Sequence, residues 1–192
     1  KNELIKNSNA KDGDLLLLTK PLGTGILYNA LKKGLASTDD FYQAIESMVE
    51  LNKEIGSSLN KFNVHAATDV TGYGLIGHLY EMCKSSNVSA EIETNKVHFF
   101  NNVEQFAKKG AVPGGTGRNL EFYSKHIKFA DSIKNHQKLM LADAQTSGGL
   151  LISLSEKDAH SLSSFYKERS IGSLQIIGKF TSSKNPKITI NS

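Results

Sequence analysis

The stretch Ala66-Ala67-Thr68-Asp69-Val70-Thr71-Gly72-Tyr73-Gly74-Leu75-Ile76-Gly77-His78 constrains the fold more than any other part of the chain. Small apolar residues bring the backbone in as a strand, glycines permit a tight turn, and Leu75 and Leu79 begin a helical stripe. A strand that passes through a glycine turn into a helix implies a layered fold with helices covering a sheet. Asp69 stands on the turn with no acidic neighbour until Glu81. Flanked by the Thr68 and Thr71 hydroxyls, its carboxylate suits one vertex of a Mg²⁺–phosphate site, because Mg²⁺ takes few protein ligands and keeps water and phosphate oxygens for the rest. It equally suits an N-cap for the helix that begins near Gly72 or Gly74, worth about 1 kcal/mol.

The same alternation runs along the chain. Leu15 to Leu18 reads as a buried strand, and 25–33 as a short helix ended by Gly34. Thr38-Asp39-Asp40 supplies capping groups for a long helix whose apolar positions Phe41, Ile45, Met48, Ile55 and Leu59 keep one face. Strands are expected at 64–68, 88–94, 150–154, 174–180 and 187–190. Helices are expected at 74–85, 98–109, 134–142 and from the Ser155/Asp158 cap to about Arg169. The fold class is therefore α/β or α+β, a mixed sheet covered by helices. Residues 1–12 form a polar lead-in and 13–192 the domain.

Ligands in such folds gather where strand ends meet loops. Besides the Asp69 turn, two loops qualify. Gly114-Gly115-Thr116-Gly117 with Arg118 and Asn119 could cradle an anion on unobstructed N–H groups, or be a plain glycine-rich connection. Gln145-Thr146-Ser147-Gly148-Gly149 could position a substrate, or merely let the chain turn into the next strand. His78 lies one helical turn past the Asp69 loop and reads as a partly buried, hydrogen-bonded residue.

Several functions are disfavoured by composition. The excess of 23 basic over 19 acidic residues is scattered rather than striped, unlike a nucleic-acid surface. The longest apolar runs fall far short of the roughly 20 residues that span a bilayer. With one cysteine, Cys83, no internal disulfide or cysteine-based zinc site can form, and a reducing, cytoplasmic setting is expected. Cys83 shares a stripe with Leu75, Leu79 and Met82 and reads as core. The chain opens Lys1-Asn2-Glu3-Leu4 without Met, and a piece of something longer is expected.

Four motifs in order carry a resemblance: Gly13 to Gly25 (GDLLLLTKPLGTG), Ala66 to His78, Val112 to Asn119 (VPGGTGRN) and Gln145 to Leu151 (QTSGGLL). Together they resemble the carboxy-terminal half of the selenophosphate synthetases, within the aminoimidazole ribonucleotide synthetase-like superfamily. The resemblance implies an ATP-dependent enzyme that forms selenophosphate from selenide with Mg²⁺, releasing AMP and phosphate. It implies that Asp69 is a metal ligand, with Thr68, Thr71, Gly72, Gly114, Gly115, Thr116, Asn119, Gln145, Thr146 and Ser147 shaping the cleft. It also implies that the nucleophile (Cys or Sec), a lysine and further metal carboxylates belong to an amino-terminal ATP-binding domain, which also builds most of a homodimer. Tyr73 stands where phenylalanine is usual, and Ala144 where proline is usual. Two alternatives remain: a superfamily enzyme with another small acceptor, and a stand-alone phosphate- or nucleotide-binding module.

Overall fold

The computed structural model describes residues 4–169, 171–183 and 185–192. Its strands are β1 (Leu15–Leu18), β2 (Val64–Asp69), β3 (Val88–Glu93), β4 (Ile127–Phe129), β5 (Leu150–Leu154), β6 (Gln175–Ser182) and β7 (Ile188–Asn191). They form one mixed sheet in the order β2-β5-β1-β6-β3-β7-β4. Pairing is antiparallel from β2 to β3 and parallel from β3 through β7 to β4.

The four leucines of β1 lack polar alternation because both faces of the sheet are covered. Leu16 and Leu18 face Leu75, Leu79, Met82 and Cys83 of α4 (Gly74–Ser86), joined by Ile177 and Phe180 of β6. On the other face Leu17, Ile152 and Leu154 meet Ile55 and Leu59 of α3 (Lys53–Leu59) and Ala159, Leu162 and Tyr166 of α8 (Glu156–Arg169). A third cluster joins α1 (Thr24–Lys32), α2 (Thr38–Val49) and α5 (Val103–Lys108), with Met140 of α7 (Asn135–Leu141). Cys83 is fully buried, and burial pushes its thiol up to about 12, so it is an inert core residue.

Three expectations need correction. The long helix breaks at Glu50, whose ψ of 120° is extended, so α2 and α3 are separate. Only Ala44 of α2 is buried, and Ile45 on the expected apolar face is 40% exposed. The cap of α2 is Ser37, in a reciprocal box with Asp40. The expected 98–109 helix shrinks to α5 because His98 to Phe100 are held extended. Leu22 N–H donates to the His98 carbonyl, and Phe100 N–H to that of Leu22. The glycine segment at 114 is not an open loop but the first turns of α6 (Gly114–Ser124), entered through an extended Pro113.

A helix that covers the sheet should dominate stability. Leu79→Ala in α4 is expected to cost about 2–5 kcal/mol in urea unfolding, whereas Val49→Ala at its exposed position changes it by less than about 0.5 kcal/mol. Equal costs would show that α4 does not carry the core.

Candidate functional site

The three candidate loops meet at one end of the sheet, where β1 and β2 finish and β5 begins. Antiparallel pairing aligns Asp69 with Leu150, and Val70 N–H donates to the Gly149 carbonyl at 2.9 Å. Gln145 N–H reaches the Thr71 carbonyl at 3.0 Å. The Asn119 amide donates to the Gly72 and Ala142 carbonyls at 2.8 and 3.2 Å, tying α6 to both loops. At Gly148 a Cβ would lie 1.9 Å from the Val70 carbonyl oxygen, so only glycine admits this approach.

Asp69 is exposed at the end of β2, and among the described residues its carboxylate forms no salt bridge. It does not cap α4: that helix starts five residues later, after Tyr73, with no side-chain cap. The turn is instead secured by His78, whose Nε2 accepts the Thr71 N–H at 3.0 Å. This bond leaves the ring proton on Nδ1. Burial holds His78 below the usual histidine range against the opposing pull of Asp69 and Glu81, so the ring is neutral at pH 7.

Behind the exposed turn lies a buried polar network that the sequence motifs did not announce. The Asp143 carboxylate accepts the Ile26 N–H at 3.0 Å, the Thr116 hydroxyl at 2.8 Å and the Gln145 amide at 3.3 Å. Gln145 Oε1 accepts from the Gly23 and Thr24 N–H groups and the Thr24 hydroxyl at 3.0–3.2 Å. Asp143 and Gln145 thus cap the start of α1 from another part of the chain. Gly25 must lack a Cβ, which would stand 2.6 Å from Asp143 Oδ1. Burial pushes Asp143 up to about 6, opposed by the bonds from Thr116, Ile26, Gln145 and Gly25.

Lys20 is a second such residue. Its buried ammonium donates to the Ser47, Glu50 and Ser147 carbonyls at 2.7, 2.7 and 3.0 Å. It therefore satisfies the end of α2 and holds the 145–149 loop, in which Ser147 has a φ of 48°. Burial lowers its pKa, with Glu50 pulling the other way. The signal available in sequence for both residues is a charge set within apolar or glycine-rich surroundings, where burial demands partners.

The expected site residues thus divide. Thr116 and Gln145 are buried braces, and Asn119 is committed to backbone carbonyls. Gly72, Gly114, Thr146 and Ser147 are exposed, and Thr68, Thr71 and Gly115 partly so. Arg118 and Asn119 line an open groove of about 640 Å³ with Tyr73, Glu81, Phe122 and Tyr123. Among the described residues no three His, Cys, Asp or Glu side chains cluster as a metal site.

This architecture has relatives. The family described as AIR synthase related protein, C-terminal domain, matches residues 11–191, and the chain belongs to it. Solved structures share the fold. Hydrogenase maturation protein HypE of E. coli has a TM-score of 0.70 at 15% identity, over 98% of this chain and 49% of that one. Thiamine-monophosphate kinase of Stenotrophomonas maltophilia K279a has a TM-score of 0.65 at 14%, over 96% and 52%. In sequence the chain is 38% identical over 189 residues to the selenide, water dikinase of Clostridioides difficile (strain 630), covering 98% of this chain and 54% of the relative. It is 44% identical over 158 residues to that of Campylobacter jejuni, covering 82% and 45%. The chain spans about half the length of these curated relatives.

Asp143 sets a pH dependence. Its folded pKa of about 6 lies above the ordinary carboxylate value of 3.8, so between about pH 4 and pH 6 the native state keeps a proton that the unfolded chain has released. This contribution is fully present below pH 4 and is lost, to the extent of about 3 kcal/mol, as pH rises through 6. Urea unfolding of wild type and Asp143→Asn from pH 4 to pH 7 should show their difference changing by that amount. A difference independent of pH would show that Asp143 does not titrate there.

Proposed function

We propose that this chain is the carboxy-terminal part of a selenide, water dikinase, an ATP-dependent enzyme that forms selenophosphate from selenide, ATP and water with release of AMP and phosphate. The observation that carries this reading is the lone, exposed Asp69 carboxylate on a rigidly braced turn, in a chain that matches selenide, water dikinases over 98% of its length. A HypE with the same fold was solved in complex with ATP, at 18% identity and a TM-score of 0.65, which accords with ATP as substrate.

Asp69 fits Mg²⁺: it is a hard oxygen donor, accessible and free of competing cationic side chains among the described residues. When bound, Mg²⁺ offsets phosphate charge during phosphoryl transfer. This chain's own part is to hold the carboxylate still. His78 holds the Thr71 N–H, Gln145 and Asn119 hold the Thr71 and Gly72 carbonyls, and the Asp143 network fixes Gln145 in turn. Thr68, Gly72, Gly114, Gly115, Thr146 and Ser147 border the cleft. A nucleophile, a lysine and further carboxylates come from an amino-terminal ATP-binding domain that also builds a homodimer. The setting is cytoplasmic, with no nucleic acid or membrane as partner. Among the described residues no helix is long and apolar enough to cross a membrane.

The test uses the full-length protein with selenide and ATP, following AMP and selenophosphate by ³¹P NMR. Asp69→Asn is expected to cut turnover by orders of magnitude and raise the Mg²⁺ requirement while leaving Tm unchanged. Turnover near wild type would remove Asp69 from the metal site, and a full-length protein that makes no selenophosphate would overturn the reading. These 192 residues alone should release no AMP from ATP in a selenide-dependent way.

A further inference from the structure

α2 is an amphipathic helix whose apolar side has no partner among the described residues. Tyr42, Ile45 and Val49 recur at the spacing of three and four that puts them on one face. Ala44, the one buried residue of the helix, lies on the opposite side, in the cluster with α1 and α5. Val49 and Leu51, the latter just beyond the helix end, are each 72% exposed, and Tyr42 is 59% exposed. Phe41 and Met48 are only half-buried beside them. Among the described residues most large exposed hydrophobic side chains lie between Tyr28 and Leu51, so this is a patch rather than a scatter. A helix of 12 residues is held mainly by burying its apolar face, and this one leaves that face in water.

The patch runs up to the candidate site. Lys20 joins the Ser47 and Glu50 carbonyls at the end of α2 to that of Ser147, and the Asn52 side-chain amide donates to the Gly148 carbonyl at 2.9 Å. Leu51 therefore stands between two residues tied to the 145–149 loop. That loop borders the Asp69 turn, where Val70 N–H donates to the Gly149 carbonyl. A body that closed over Asp69 from outside this chain would meet Leu51 and Val49 at its margin.

We propose that the face formed by Tyr42, Ile45, Val49 and Leu51 is the surface on which the amino-terminal half of the complete protein docks. The occupant follows from size and place, and it rests on the function proposed above. The curated relatives are about twice as long as this chain, so a body of similar size has to be accommodated. Under the proposed function that body has to reach the Asp69 carboxylate to complete the metal site. Apolar burial supplies the attraction. Because the end of α2 and the 145–149 loop are one hydrogen-bonded unit, docking on α2 also sets the position of the incoming groups relative to Asp69.

The test is the accessibility of Leu51→Cys in the full-length protein, read as the rate at which iodoacetamide alkylates the peptide carrying residue 51. In the native protein this rate is expected to be at least about tenfold slower than in the same protein unfolded in urea. Adding Ile45→Asp, which places a charge in the face, should bring the two rates to within about threefold. The measurement involves no turnover. An enzyme that acts on an acceptor other than selenide leaves this result standing, and an unprotected Leu51→Cys leaves the dikinase reading standing. Equal native and unfolded rates would overturn the proposal, as would protection that Ile45→Asp leaves unchanged. Protection that is lost on dilution from about 100 to 1 µM would overturn it too, and would assign the face to a second copy of the protein.

Discussion

A carboxylate removed from water needs donors from every side, and Asp143 draws its donors from distant parts of the chain. Ile26 belongs to the first turn of α1, Thr116 to that of α6, and Gln145 to the loop that enters β5. Because the group is buried, each donor is held in place by the cost of leaving an uncompensated polar atom. The turn that displays Asp69 inherits this rigidity at second hand, through the Gln145 N–H on the Thr71 carbonyl and the Asn119 amide on the Gly72 carbonyl. An exposed carboxylate needs such support if it is to stay in place without a partner of its own.

The strands legible in the sequence are those with an unambiguous pattern. β1 and β5 are short apolar runs, and β3 alternates cleanly between buried and half-buried positions. α4 and α8 carry regular stripes. Sequence and structure part where tertiary contacts override local preference. His98 to Phe100 satisfy a helical pattern but are drawn out straight by Leu22, and the continuous apolar face of 41–59 is cut where Lys20 takes the Ser47 and Glu50 carbonyls. Glycines at 114, 115 and 117 argue against a helix by propensity, yet α6 begins there because Thr116 and Asn119 are anchored from outside it.

The loops of the candidate site are legible as motifs, but their division of labour is not. Gln145 and Thr116 look like ligand-binding groups in sequence because amides and hydroxyls beside glycines are what a pocket needs. In the structure they are buried against Asp143, and the surface is left to Thr146, Ser147 and the Asp69 turn. Only pairing between residues far apart in sequence, Thr116 with Asp143 and Gln145 with Thr24, separates the two roles. No local pattern encodes such a pair.

The sheet order places β2 at one edge, with β5 on its inner side. A bare edge offers unpaired N–H and C=O groups to any passing strand, and proteins blunt such edges to avoid joining one another. Here the lead-in lies along that side: Ala67 N–H donates to the Lys6 carbonyl at 3.0 Å, and Ile5 packs against the cluster formed with α3 and α8. The opposite edge, β4, is protected by being only three residues long. The segment read in sequence as a polar lead-in thus covers the β2 edge, and trimming it is expected to leave β2 open to pairing with the same strand of a second molecule.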